Sequence, residues 1–419
     1  MIAIDPELQA QVDAQLLEQG AFSPLDLLIE TGRLAYGDYE AWRRREIAVL
    51  DGVLMGNPEK IRAYIEAAAG YARSIRLEEQ TEEFHAWHAA GKQDSAAPLR
   101  ISADPVLQRL IASRFAPTQN APQLDLFFDN PVVALTNGIV RALRARDLTE
   151  AQRQLDRLYA QSPTHADLAA FDRLLAALGH LDRAIEDAPW QLDFLLETAP
   201  TAKRLLGAQW RDLLAPLWRQ LADALDACPF SSDTPDLHRS FALSQAQDWA
   251  GVSRCVLAES EWWVQPVLCL RLAQAAFYTK RRIEALTAWC HVCWRAPEQV
   301  AQVLEGRRQP DAGMAVLWQQ FVELDEEGVR ERNGPDLIPA EPTLTAADFP
   351  AWLLLQEPGL AQQLAADLPM GNSPGEEHYR HVHRWVQARR AGRGQEEIEL
   401  RKALQQSHAG LFRYLKRTV

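Results

Sequence analysis

The chain has 419 residues, and 44 Lys and Arg against 57 Asp and Glu give it a net charge of −13. With 47% hydrophobic and 24% charged residues it has the composition of a folded protein, which excludes an intrinsically disordered chain. Five cysteines, an odd number, do not make a disulfide framework, and no apolar run reaches the roughly 18 residues of a membrane-spanning helix. The first residues lack the basic and apolar regions of a signal peptide. We therefore expect a cytoplasmic protein without a membrane span.

Pairs of a short polar residue and a proline predict helix starts along the chain. The polar side chain can accept a hydrogen bond from a free N–H of the first turn, and proline has no N–H to leave unpaired there. The pairs are Asp5-Pro6, Ser23-Pro24, Asn57-Pro58, Asp104-Pro105, Asn130-Pro131 and Thr234-Pro235. The formal hairpin signals Asp51-Gly52 and Asn137-Gly138 lack alternating strand patterns on both sides, so we interpret them as turns or helix ends. The sequence predicts an all-α fold.

Segments without helical periodicity divide the chain. The stretches 116–125 and 333–350 are rich in residues that favour loops, including four prolines in the second. We predict an N-terminal helical domain over 1–125, a central helical array over 126–332 and a C-terminal helical segment over 333–419.

The central array contains a repeated pattern. Residues 149–163 align with residues 283–297, with Ala151 opposite Ala285 and a proline closing both segments. The offset of 134 residues is close to four units of about 34 residues. This spacing predicts stacked pairs of helices.

The pattern resembles the tetratricopeptide repeat superfamily, most closely over 266–299. Eight residues stand there at the family's packing and turn positions: Cys269, Leu272, Ala273, Ala276, Ala285, Trp289, Val292 and Pro297. Weaker matches cover about 129–163 and the helix pair of 238–263, so the resemblance spans about 129–163 and 238–299. It implies a helical-pair solenoid flanked by the N-terminal domain and a C-terminal capping segment.

A solenoid of this kind implies a non-enzymatic scaffold or adaptor that binds a peptide or helix of a protein partner, within a larger bacterial assembly and without a cofactor. Positions between the packing residues of the first helix would face the binding groove: Leu270, Arg271, Gln274 and Phe277. Thirteen Trp residues are a high count, and some could line a groove because Trp is a frequent interface anchor. Exposed ends of the array could also form a homo-oligomer.

The C-terminal end is basic. Residues 378–419 have a net charge of +7, and Arg401, Lys402 and Arg413 surround an apolar stripe on what we predict to be one last helix. This helix could cap the array against the acidic body of the chain, or it could bind a partner. Nucleic acid is a further alternative, although the acidic remainder of the chain argues against it.

A histidine cluster supplies the enzyme alternative. Glu377, His378, His381 and His383 lie within seven residues at helical spacing, so several of them share a helix face. Such a group could serve a metal-dependent enzyme or a metal-binding protein.

Two other motifs are interpreted as structural. Cys290 and Cys293 form a C-x-x-C pair, but a structural zinc site needs four ligands, so we expect core packing. Gly371–Gly375 matches the G-x-S-x-G pattern of serine hydrolases. Pro374 follows the serine there and has no N–H to donate to an oxyanion.

Overall fold

The computed structural model describes residues 5–84, 86, 98–117, 131–181, 183–305, 311–333, 344–368 and 371–418. These residues form 20 α-helices and two short β-strands, which confirms the all-α prediction. No helix of the described ranges is both long and apolar enough to cross a membrane. The chain divides into two compact units, Met1–Cys228 with Asp236–Asp248, and Pro229–Pro235 with Trp249–Val419. The predicted array, 126–332, has helices in both units, while the predicted boundary at 125 lies outside the described residues.

The first unit contains α1 (Pro6–Gln19), α2 (Pro24–Glu30), α3 (Tyr36–Arg43), α4 (Pro58–Ser74), β1 (Glu78–Thr81), α5 (Pro105–Ile111), β2 (Ser113–Ala116), α6 (Pro131–Ala145), α7 (Leu148–Gln161), α8 (Leu168–Gly179), α9 (Ala188–Leu206), α10 (Trp210–Ala224) and α11 (Arg239–Gln245). The strands pair antiparallel with Glu78 opposite Ala116. Phe22 and Phe115 exchange two backbone hydrogen bonds of 2.8 Å and stack their rings, which joins the strands to the core.

The second unit contains α12 (Trp249–Ala258), α13 (Pro266–Tyr278), α14 (Arg282–Arg295), α15 (Pro297–Leu304), α16 (Ala312–Asn333), α17 (Phe349–Gln356), α18 (Pro374–Arg390), α19 (Gly394–Ser407) and α20 (Ala409–Thr418). Four aromatic rings form part of its core, and five of their pairs have centroids 5.4–5.6 Å apart: Trp318, Phe321, Phe349 and Trp352.

The predicted starts of α1, α2, α4 and α5 are confirmed, whereas Thr234-Pro235 opens only the 3₁₀ turn Pro235–Leu237. Asp5, Asn57 and Asp104 accept hydrogen bonds of 2.8–3.0 Å from backbone N–H groups two residues ahead, and a proline follows each of them. Ser23 accepts a bond of 3.3 Å from the N–H of Asp26. Asn130 lies outside the described residues. These local bonds explain why the sequence alone locates the helices.

The interpretation of Asn137-Gly138 as a turn or helix end is wrong, because both residues lie inside α6. A Cβ atom on Gly138 would lie 3.3 Å from the side chain of Gln154 on α7. The glycine therefore gives α7 room to pack closely against α6 instead of ending the helix.

Three pairs of packed helices share one turn geometry: α6 with α7, α13 with α14, and α18 with α19. Each first helix is followed by a left-handed residue: Arg146 (φ 58°), Lys280 (φ 59°) or Gly392 (φ 68°). In each turn the backbone N–H of the following residue donates to the backbone carbonyl five positions earlier. These bonds are Asp147 to Ala142 (2.9 Å), Arg281 to Ala276 (2.8 Å) and Arg393 to Ala388 (2.9 Å). These bonds close the helix end. Arg146 and Lys280 are separated by the 134 residues of the sequence repeat.

Buried polar side chains link distant parts of the first unit. Glu40 is 2% exposed and accepts hydrogen bonds of 2.8 Å from Arg44 and from Arg219, which lies 179 residues away. The hydroxyl of Tyr36 donates to the buried carboxylate of Asp212 at 2.6 Å. These bonds attach α3 to α10.

We expect Glu40→Ala to lower the free energy of unfolding of the first unit by about 3 kcal/mol. The substitution leaves the Arg219 guanidinium, whose side chain is 25% exposed, without its carboxylate partner. Urea denaturation followed by tryptophan fluorescence measures this loss.

Glu66→Ala is the matched control. Glu66 also forms an ion pair one helical turn away, with Arg62, as Glu40 does with Arg44. The side chains of Glu66 and Arg62 are both exposed. We expect a change of at most about 0.5 kcal/mol there. Equal losses in the two variants would contradict the importance assigned to the buried pair.

Candidate functional site

An open cleft of about 580 Å³ lies in the first unit between the end of α8 and the start of α9. Its polar and aromatic lining consists of His180, Arg183, Glu186, Asp187, Trp190 and Gln191. Asp182, in the same turn, lies outside the described residues. The cleft therefore combines aromatic, acidic and amide groups at one helix junction.

Local capping places the aromatic side of the cleft. The Asp187 carboxylate accepts a 2.9 Å hydrogen bond from the N–H of Trp190, which starts α9 and puts Trp190 on its first turn. The Trp190 ring stacks on Phe194, with centroids 5.3 Å apart and an interplanar angle of 10°. His180 contacts the same two rings. Trp190 still leaves 53% of its surface exposed.

The polar groups of the cleft suit a cationic peptide side chain. Glu186 and Asp187 provide two exposed negative charges, and Arg183 provides one exposed positive charge. An indole face beside carboxylates attracts an ammonium or guanidinium group. Gln191 is 4% exposed, and its Nε2 atom is buried with no hydrogen-bond partner in the part of the chain that the structure describes. This amide nitrogen is enclosed by the protein and is not exposed at the surface of the cleft.

The structure distributes the four predicted groove residues over different environments on α13. Gln274 is exposed, whereas Leu270 and Phe277 are half-buried. Arg271 is only 9% exposed, and its Nη1 atom donates to the carbonyl of Pro235 at 2.9 Å. Gln274 is thus the residue of this set that a partner can reach most easily.

The predicted last helix is two helices, α19 and α20, because the helix is interrupted at His408. The backbone of His408 is extended there, and its Nδ1 atom accepts a 3.2 Å hydrogen bond from the N–H of Leu411. The apolar stripe is buried, with Leu411 and Leu415 at 0% exposure. These two leucines therefore belong to the core of their own unit.

The basic residues of this end remain nearer the surface. Lys402 is exposed, Arg401 and Arg413 are half-buried, and the Arg401 guanidinium lies 5.9 Å from the centre of the Phe412 ring. Arg401 therefore contacts an aromatic ring of its own unit.

A second group of candidate side chains lies in the second unit. The Asp348 carboxylate, 3% exposed, contacts His378 Nδ1 at 2.8 Å through Oδ1 and His408 Nε2 at 3.1 Å through Oδ2. The two imidazole rings meet edge to face, with centroids 4.5 Å apart. Burial alone would raise the pKa of the Asp348 carboxyl, but hydrogen bonds from the two histidines hold that pKa well below its ordinary value.

The histidine cluster predicted from the sequence does not converge as a set. His378 joins Asp348, but the Nε2 atom of His383 is bonded to the carbonyl of Leu364 at 3.0 Å, and Glu377 is exposed. Burial lowers the pKa of His381, and the nearby His378 adds to this shift.

Sequence reasoning missed Asp348 and His408, which lie far from His378 in the chain. The available signal was the Thr345-x-x-Asp348 spacing of a capping box, and it indicates a helix start and not a site.

The C-x-x-C pair and the G-x-S-x-G pattern both lie in structural settings. Cys290 and Cys293 are at most 2% exposed, and burial raises the pKa of the Cys290 thiol to about 12, so the reactive thiolate is disfavoured. Ser373 donates from Oγ to Glu376 at 2.7 Å within a capping box at the start of α18. Its hydroxyl therefore belongs to a helix cap.

A buried carboxyl group in the first unit has a strongly altered acidity. Asp26 is 4% exposed, and burial raises its pKa to about 7. The charge of Arg144 and a hydrogen bond with Gln209 oppose this shift, whereas Glu82 and Glu30 add to it. An unfolded aspartate has a pKa of about 3.9. Between these values the folded chain holds a proton that the unfolded chain releases, so the stability contributed by Asp26 falls as the pH rises from about 4 to 7.

We expect Asp26→Asn to raise the melting temperature relative to the original protein more at pH 7.5 than at pH 5. The amide stays neutral, so the variant avoids the cost of a buried charge at the higher pH. Thermal unfolding followed by circular dichroism at both pH values measures the two differences. A shift of equal size at both pH values would show that Asp26 does not titrate in this range.

No family model, curated protein or solved structure matches the chain. The resemblance to tetratricopeptide repeats accordingly stays a prediction.

Proposed function

We propose that the protein is a non-enzymatic scaffold or adaptor that binds an extended peptide of a protein partner, with a Lys or Arg side chain of that peptide in the cleft between α8 and α9. The observation that carries this proposal is Trp190, which is 53% exposed at a cleft lined by Glu186 and Asp187. Trp residues at the centre of interfaces often supply much of the binding free energy.

The contacts available in the cleft explain why a basic peptide fits. Trp190 offers apolar area and a negative ring face to a cation, and the neighbouring carboxylates offer a charge partner. Phe194 stacks on the indole and holds it in one orientation, so little side-chain freedom is lost on binding.

The proposed scaffold is a helical-pair solenoid of the tetratricopeptide type. Three packed helix pairs with the same closing turn support this architecture, and so does the match between the 134-residue repeat and the spacing of two of those turns. In this proposal α20 caps the helices of its own unit, and Gln274 on α13 offers a further contact position.

Selection from a phage-displayed library of unstructured peptides tests the proposal without knowledge of the natural partner. We expect enriched peptides to carry Lys or Arg, and we expect Trp190→Ala to weaken their binding by about 30-fold, the effect of losing a 2 kcal/mol hot spot. Glu186→Gln should weaken binding to a smaller extent and reduce its dependence on salt. Fluorescence anisotropy of a labelled selected peptide measures these affinities.

Leu257→Ala serves as the control, because Leu257 is also an exposed apolar residue, at 46%, but lies on α12 in the other unit. The Leu257→Ala variant should bind the selected peptide with the affinity of the original protein. A library that yields no enriched peptide would reject the proposal, as would peptides that bind Trp190→Ala with undiminished affinity.

A further inference from the structure

Three side chains of the second unit, from separate parts of the chain, lie close together. Asp348 ends the 3₁₀ turn Ala346–Asp348, His378 lies in the second turn of α18, and His408 lies between α19 and α20. One ligand atom from each lies within 4.8 Å of the other two, and this is the one such group among the described His, Cys, Asp and Glu residues. We propose that Asp348, His378 and His408 bind a divalent transition-metal ion of the Zn²⁺ type.

The ligand chemistry selects the class of metal. Two imidazole nitrogens with one carboxylate suit Zn²⁺ and its first-row neighbours, whereas Mg²⁺ and Ca²⁺ prefer sets of oxygen ligands. Three protein ligands leave a fourth position for water, as in catalytic zinc sites. The side chains of His378 and His408 are 12% and 11% exposed, so the site has contact with solvent through which an ion can enter.

The carboxylate is held in place by neighbours that would not ligate the ion. The N–H and the hydroxyl of Thr345 donate to Asp348 Oδ2 at 2.9 and 3.0 Å. Such outer hydrogen bonds orient a metal-binding carboxylate before the ion arrives. The capping box of Thr345 and Asp348 thus prepares one ligand of the site.

The hydrogen-bond network assigns the protons of the metal-free site. His408 Nδ1 accepts from the N–H of Leu411, so the neutral ring carries its proton on Nε2, facing Asp348. The ionised carboxylate can only accept, so His378 carries its proton on Nδ1. When Nε2 of His408 and Nδ1 of His378 bind the ion, each proton moves to the other nitrogen of its ring. Nδ1 of His408 then no longer accepts from Leu411, so metal binding and this helix cap exclude each other.

Isothermal titration calorimetry of the chelator-treated full chain with ZnCl₂ tests the site. We expect one Zn²⁺ per chain, and binding that is weakened more than about tenfold in Asp348→Asn and in His378→Gln. An excess of MgCl₂ should not displace the Zn²⁺. No saturable binding, or unchanged affinity in both variants, would overturn the proposal.

His165→Gln is the matched control. His165 is also half-buried, and its Nδ1 atom also accepts a backbone N–H, from Asp167 at 3.1 Å, but it belongs to no ligand group among the described residues. The variant should bind Zn²⁺ as the original protein does. Loss of binding in this control would place the ion elsewhere and reject the assignment.

Hydrogen exchange on the original protein provides a readout that does not depend on the folding of any variant. We expect Zn²⁺ to accelerate exchange of the Leu411 amide at the start of α20, because that amide loses its acceptor. Zn²⁺ that binds without changing exchange at Leu411 would show that His408 is not a ligand and would overturn the three-residue site.

Discussion

Buried carboxylates are the constraint on which the arrangement of helices in each unit depends. A carboxylate removed from water costs several kcal/mol unless cationic or N–H groups surround it. Glu40 meets Arg219 in the first unit, and Glu376, at 0% exposure, meets Arg295 at 2.9 Å in the second. Apolar helix faces can pack in several registers, but an arrangement that separates these pairs leaves a buried charge alone. The ion pairs thereby destabilise alternative helix packings that hydrophobic burial alone would not distinguish from the native one.

The two candidate sites use different physical properties of their side chains. The proposed recognition at the cleft depends on exposure, because Trp190 stacks on Phe194 but keeps about half of its surface in solvent. Coordination in the second unit depends on burial, because the nearly enclosed Asp348 carboxylate already holds two imidazoles in one orientation. The proposed peptide binding and the proposed metal binding are therefore separable by substitution.

Local structure was largely predictable because short-range bonds determine it. Asn57 caps its helix through the amide two residues ahead, and that bond needs no other part of the chain. The prediction failed where a neighbouring element intervenes. Asn137-Gly138 has the sequence signal of a turn. The glycine is instead explained by the Gln154 side chain of the adjacent helix, which leaves little room for a Cβ atom. The break at His408 was also missed, because a histidine is an uncommon cap and the apolar spacing continues across it.

The sequence by itself determined the all-α class, most of the helix starts, the spacing of two closing turns and the burial of Cys290 and Cys293. Each of these follows from contacts within a few residues or from apolar periodicity. Only the tertiary structure decided which polar side chains meet. Asp348 and His378 lie 30 residues apart, and nothing in their own segments predicts that they share a hydrogen bond of 2.8 Å. Likewise, the exposure of Trp190 depends on how α8 and α9 pack. Such convergence is set by the positions of whole helices, which depend on the summed packing of residues distant in the chain.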